Sequence, residues 1–213
     1  MNTIKNHLIL LLVVVGLIGC GGNNDDSTPV GRTAEDVKSD FQNLIIEPGI
    51  NDLVLESTVS GVFWNFRIIA PVDASEANKR PLVLSLHGGA LNNVPNAHKS
   101  TGCMVEPAFE ALNAYIISPN SDGFLWYAQR NQVQVLALLD LAKMYLPIDE
   151  TKVVITGYSD GGNGSWFYAQ YYSDLFSAAI PMASSYDPED SDGVVPKVNI
   201  PLYVIHGEND DLF

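Results

Sequence analysis

Lys152-Val-Val-Ile-Thr-Gly-Tyr-Ser-Asp-Gly161 is the stretch that decides the fold of this chain. Its first half, 152–156, is a short β-branched run of the kind a buried parallel strand needs. Its second half sets Ser159 between Gly157 and Gly161 in a G-x-S-x-G pattern. Such a pattern predicts a sharp strand-to-helix turn with the serine at its apex, the glycines leaving room for close backbone approach. Residues 162–172 can then wind as a helix packing back on the sheet. The pentapeptide alone is a weak signal, so its surroundings carry the inference.

Outward from the turn, residues 82–86, 114–118, 153–156, 178–182 and 202–205 form short, apolar, evenly spaced runs. Helical segments are predicted between them at 105–113, 129–145 and 163–172. Upstream, 53–59 and 63–70 alternate apolar and polar residues across Ser60-Gly-Val62, which predicts an antiparallel hairpin. Strands alternating with helices imply crossover units and a mostly parallel sheet. In such a sheet, functional groups gather at the carboxyl ends of the strands. Each candidate group below follows a strand.

A serine at its ordinary pKa is a poor nucleophile and needs a base, usually a histidine oriented by a carboxylate. It also needs donors aimed at the oxyanion of a tetrahedral intermediate. The backbone N–H of Asp160, at the start of the helix, is one candidate donor. The second comes from His87-Gly88-Gly89-Ala90 after the run 82–86, and is assigned to Gly89 with Gly88 as the alternative. The acid is assigned to Asp210 in Val204-Ile-His-Gly-Glu-Asn-Asp210, with Asp211 adjacent and Glu208 close by. The Asp160 carboxylate either caps the helix N-terminus or weakens a nearby oxyanion; its side chain is expected to point away from the hole. Trp126, Tyr127 and Tyr158 either shape an acyl pocket or are packing residues. The acidic stretch 187–192 fits no metal-loop spacing and reads as a hydrated loop. No metal or cofactor is expected.

Leu86-His-Gly-Gly89, 148–162, 172–179 and Ile205-His-Gly-Glu-Asn-Asp210 together resemble the α/β-hydrolase superfamily. The likeness is to its secreted esterase branch: polyhydroxybutyrate depolymerase-like, feruloyl or acetyl-xylan esterase-like and predicted peptidase sequences. It covers roughly 81–213, with the four blocks in the family's order and spacing. The resemblance implies an α/β-hydrolase fold: a mostly parallel central sheet, an N-terminal antiparallel hairpin and helices on both faces. It also implies Ser159 as nucleophile, Asp210 as acid, the backbone of Asp160 and Gly89 as oxyanion hole, and a carboxylic ester as substrate. An acylated polysaccharide, a feruloyl ester and a polyester all stay open. So do peptidase-like amide hydrolysis and a catalytically dead binding lipoprotein of the same fold.

In this family the histidine follows the acid by some distance. His7 lies in the leader, His87 in the oxyanion loop, His98 in the loop 92–100, and His206 beside the acid as a residue fixing that turn. None is expected to be the base. The hydrolase domain, 40–213, is therefore expected to be incomplete at its C-terminal end, with the histidine beyond residue 213 and the given chain nearly inactive.

Lys5 and His7 precede an apolar run, 8–18, too short to span a bilayer and fit for a signal-peptide core. It ends in Leu17-Ile-Gly-Cys20, which resembles a bacterial lipoprotein processing site. Residues 1–19 are thus expected to be a lipoprotein signal peptide, Cys20 the lipidated residue and 20–39 a flexible tether. Localisation in a bacterial cell envelope, anchored to a membrane by lipid, follows. Cys103, left without a partner, is expected to be a buried free thiol. Eleven basic against 25 acidic residues give a net charge of −14, which repels phosphate backbones and excludes nucleic acid as a partner.

Overall fold

The computed structural model describes residues 31–189 and 192–212. The expected leader, Cys20 and tether residues 20–30 lie outside the described residues. Among those described, no helix is long and apolar enough to cross a membrane.

Six strands form one sheet: β1 (Gly49–Glu56), β2 (Phe63–Ala70), β3 (Arg80–Leu86), β4 (Tyr115–Pro119), β5 (Ile148–Tyr158) and β6 (Ala178–Met182). Their spatial order is β1-β2-β4-β3-β5-β6. The predicted hairpin is β1–β2, pairing Glu56 with Phe63, and β2 is also antiparallel to β4. From β4 onward all neighbours are parallel. The continuous apolar run of β3 reflects burial on both faces. Leu82, Leu84 and Leu86 join the larger core with helices α3 (Gln129–Tyr145) and α4 (Asp160–Tyr171). Val83 faces a smaller cluster on the other side, with Val105 of α2 (Val105–Phe109). The chain leaves β3 for β4 on one side and returns to β5 on the other, so the loops after β3 and β5 flank a topological switch point.

Four expectations need correction. The packed domain starts before residue 40. Thr33 and Asp36 form a reciprocal capping box: Thr33 N–H donates to Asp36 Oδ2 at 2.7 Å and Asp36 N–H to Thr33 Oγ1 at 3.2 Å. Helix α1 (Ala34–Gln42) follows, burying Val37 and Phe41, with Phe41 stacked on Phe66 at 6.4 Å between ring centroids. The flexible stretch therefore does not reach residue 39. Residues 202–205 make only two parallel bridges, Ala179 to Leu202 and Met182 to Ile205, and stay exposed, Tyr203 by 68%. They lie beside β6 at the sheet edge as two bridges, not as a continuous strand. Cys103 is exposed, on the turn leading into α2, because Val105 takes the core position there. The helix expected over 105–113 also tightens after Phe109 into a 3₁₀ turn, Glu110–Leu112.

Candidate active site

The strand β5 ends at Tyr158 and α4 begins at Asp160, so Ser159 alone makes the turn. It adopts φ 57° and ψ −122°, a left-handed conformation for a side-chain-bearing residue. Such backbone costs of order 1–3 kcal/mol and persists only where its surroundings over-determine it. Here they do: Ser159 N–H donates to Met182 O at 3.0 Å, and Asn163 N–H donates to Ser159 O at 3.0 Å. Close packing is the reason for the glycines. A Cβ on Gly157 would lie 2.7 Å from Leu86 O, and one on Gly161 would overlap the same carbonyl. The helix start is thus pressed against the end of β3, and its free N–H groups face the sheet edge.

From the end of β3 the chain passes directly over Ser159. A Cβ on Gly88 would meet Tyr158 O at 3.1 Å and Ser159 Cβ at 3.2 Å. Gly89 follows at φ 65°, ψ 35°. His87 holds this loop. Its Nε2 accepts the Ser121 N–H at 3.0 Å, so the proton is on Nδ1, which donates to Gly88 O at 2.8 Å. Burial pushes its pKa below the ordinary histidine value, keeping the ring neutral. With both nitrogens engaged, His87 is a structural clamp. Trp126 is fully buried beneath it and donates its indole N–H to His87 O at 2.8 Å. Trp126 is therefore core, whereas Tyr127 and Tyr158 remain partly exposed.

The Asp160 side chain, acidic in the first turn of α4, has a distant partner: its Oδ2 accepts the Ala90 N–H at 2.8 Å, joining the elbow to the glycine loop. No sequence signal announces this pair, 70 residues apart. Asp210 is half-buried at the same sheet edge, in the turn after 202–205. One strand, β6, separates that segment from β5. Two strand spacings put the two backbones about 10 Å apart. His206 Nε2 lies 3.9 Å from Asp210 Oδ2. His98 is buried, with its backbone N–H and Nδ1 both against Asn120 Oδ1 at 3.1 Å. Among the described residues, no group of three or more His, Cys, Asp or Glu is placed to hold a metal ion.

No protein-family model matches the chain, and no curated protein matches it in sequence. Solved structures do match in fold. A thermostable esterase is 24% identical with a TM-score of 0.65, over 76% of this chain and 47% of the esterase. A poly(aspartic acid) hydrolase-1 from Sphingomonas sp. KT-1 is 12% identical with a TM-score of 0.59, over 78% and 74% of the two chains. FphF, a fluorophosphonate-binding serine hydrolase of Staphylococcus aureus, is 20% identical with a TM-score of 0.54, over 73% and 68%. The chain thus spans about half the length of the thermostable esterase. The sheet order, the strained serine between β5 and α4, and these likenesses together establish that the chain has the α/β-hydrolase fold.

Proposed function

We propose that the protein is a serine hydrolase of carboxylic esters. The observation that carries this reading is Ser159, held at φ 57° on a turn that touches a glycine loop. Ser159 Oγ attacks the acyl carbon as a histidine takes its proton. The carbonyl oxygen becomes an oxyanion, received by the N–H groups of Asp160 and Gly89. Collapse expels the alcohol, which takes the proton from the imidazolium. Water then repeats the sequence on the acyl-enzyme and releases the acid. Asp210 orients the histidine. That histidine is proposed to follow Asp210 in the full-length protein, because His87 and His98 are committed elsewhere and His206 sits beside the acid itself.

The substrate is proposed to be an acylated polysaccharide, a feruloyl ester or a polyester, with the enzyme held at a bacterial envelope through lipidated Cys20. The sequence at 5–20 supports the anchor. The likeness to a poly(aspartic acid) hydrolase supports including amides in any assay. Full-length protein and its Ser159→Ala variant, tested on p-nitrophenyl acetate, feruloyl esters and amino-acid arylamides, decide the matter. Ester turnover is expected to fall at least about 10³-fold in the variant. Hydrolysis that survives loss of Ser159 refutes the assignment, and a preference for arylamides replaces esterase with peptidase.

A further inference from the structure

Two peptide groups meet at Gly89, and each is held by a side chain. The Gly88–Gly89 peptide is held through its carbonyl, which accepts the His87 Nδ1–H at 2.8 Å. Across a planar trans peptide the Gly89 N–H points opposite to that carbonyl, away from His87. The Gly89–Ala90 peptide is held at both ends: Ala90 N–H donates to Asp160 Oδ2 at 2.8 Å, and Gly89 O accepts the Asn92 N–H at 3.1 Å. Beyond it, Ala90 O accepts the Ser121 hydroxyl at 2.8 Å. Glycine has no side chain to restrict φ and ψ, so the relative orientation of these planes sets where its N–H points. Of the side-chain ties on this loop among the described residues, only the Asp160 carboxylate comes from the serine elbow; the others come from the loop itself or from the segment after β4.

We propose that the Asp160 carboxylate is a positioning group that registers the Gly88–Gly89–Ala90 backbone against Ser159, so that the Gly89 N–H and the Asp160 N–H converge on one oxyanion. This deepens, and rests on, the serine-hydrolase reading above. One residue then has two parts: its amide is an oxyanion donor and its side chain aims the other donor. The arrangement needs an acceptor at this place more than it needs a charge. A full negative charge close to a forming oxyanion opposes it, whereas an amide oxygen of the same reach still accepts the Ala90 N–H, more weakly than a carboxylate.

The test compares Asp160→Ala with Asp160→Asn in the full-length protein, reading kcat and KM on p-nitrophenyl acetate and hydrogen exchange of the Ala90 amide. Asp160 is half-buried in the first turn of α4 and alanine is the best helix former, so the helix is retained. In Asp160→Ala, kcat is expected to fall between about 10- and 100-fold, as for a donor displaced by about 1 Å, with KM within about threefold and Ala90 exchange protection lost. Asp160→Asn is expected to restore protection and bring kcat within about threefold of the parent. Two results overturn the proposal: unchanged kcat in Asp160→Ala, or Asp160→Asn as slow as Asp160→Ala with Ala90 still protected. Ser159→Ala, run alongside, reports on the hydrolase reading separately, since the exchange measurement needs no turnover.

Discussion

Adding one methyl group at Gly162 sets two opposed effects against each other. Gly162 lies in the first turn of α4, and alanine there improves helix propensity by about 1 kcal/mol. On propensity alone Gly162→Ala is stabilising. The new Cβ, however, would lie 2.5 Å from Met182 O and 2.8 Å from Ser184 Cβ. Ordinary contact begins at 3.4 Å, so helix and strand end must part by 3.4 − 2.5, about 0.9 Å. The obstacle is a backbone carbonyl, which cannot swing aside as a flexible side chain would. Overpacking of this kind costs about 1–3 kcal/mol, so the net change is a destabilisation of about 0–2 kcal/mol. The larger effect falls on activity. Met182 O is also the acceptor for the Ser159 N–H, so the displaced carbonyl moves the serine. A misplacement near 1 Å can cost about 10²-fold in rate. Urea unfolding and kcat on p-nitrophenyl acetate, measured on the full-length protein, check both. Gly102→Ala, whose Cβ would have only Glu106 Oε1 nearby at 3.9 Å, is the matched control. A Gly162→Ala protein about 1 kcal/mol more stable, with unchanged kcat, would show that the elbow tolerates separation from β6 and refute the reasoning.

Further expectations concern the domain start and the buried imidazoles. Phe41→Ala removes a ring buried against Phe66 and Tyr145 and is expected to lower unfolding free energy by about 3–5 kcal/mol; a urea-derived loss under about 1 kcal/mol would return α1 to the tether. His87 and His98 are both held below the ordinary value of 6.5, chiefly by burial. The unfolded chain therefore binds protons that the folded one refuses, and their contribution to stability, complete above about pH 6.5, is lost as pH falls below it. Unfolding midpoints at pH 7.5 and 5.5, with His98→Asn as comparison, should show that loss reduced in the variant; an equal loss in both would assign the acid sensitivity elsewhere.

The same physics separates what was legible in the sequence from what was not. Strands 82–86, 114–118, 153–156 and 178–182 were legible because a strand buried on both faces must be apolar throughout. The elbow was legible because only glycine fits where α4 presses on Leu86. Helix α1 was also written in the chain, as Thr33-Ala-Glu-Asp36 ahead of Val37 and Phe41, yet the polar run before it has the composition of a tether. Residues 202–205 were legible as a run that joins the sheet beside β6, but only the structure reduces its ladder to two bridges.

By itself the sequence determined the strand and helix order, the serine at a glycine-flanked turn, the glycine loop after β3 and an acidic turn after 202–205. These are local properties, set by periodicity, β-branching and the absence of side chains. Only the tertiary structure decided the state of His87, the burial of Trp126 and the reach of Asp160 to Ala90. Each depends on a partner at least 30 residues away, Ser121, His87 O and the Ala90 amide respectively. A hydrogen bond forms where donor and acceptor come within about 3 Å, and for groups so far apart in the chain that distance exists only once the sheet has brought its strand ends together.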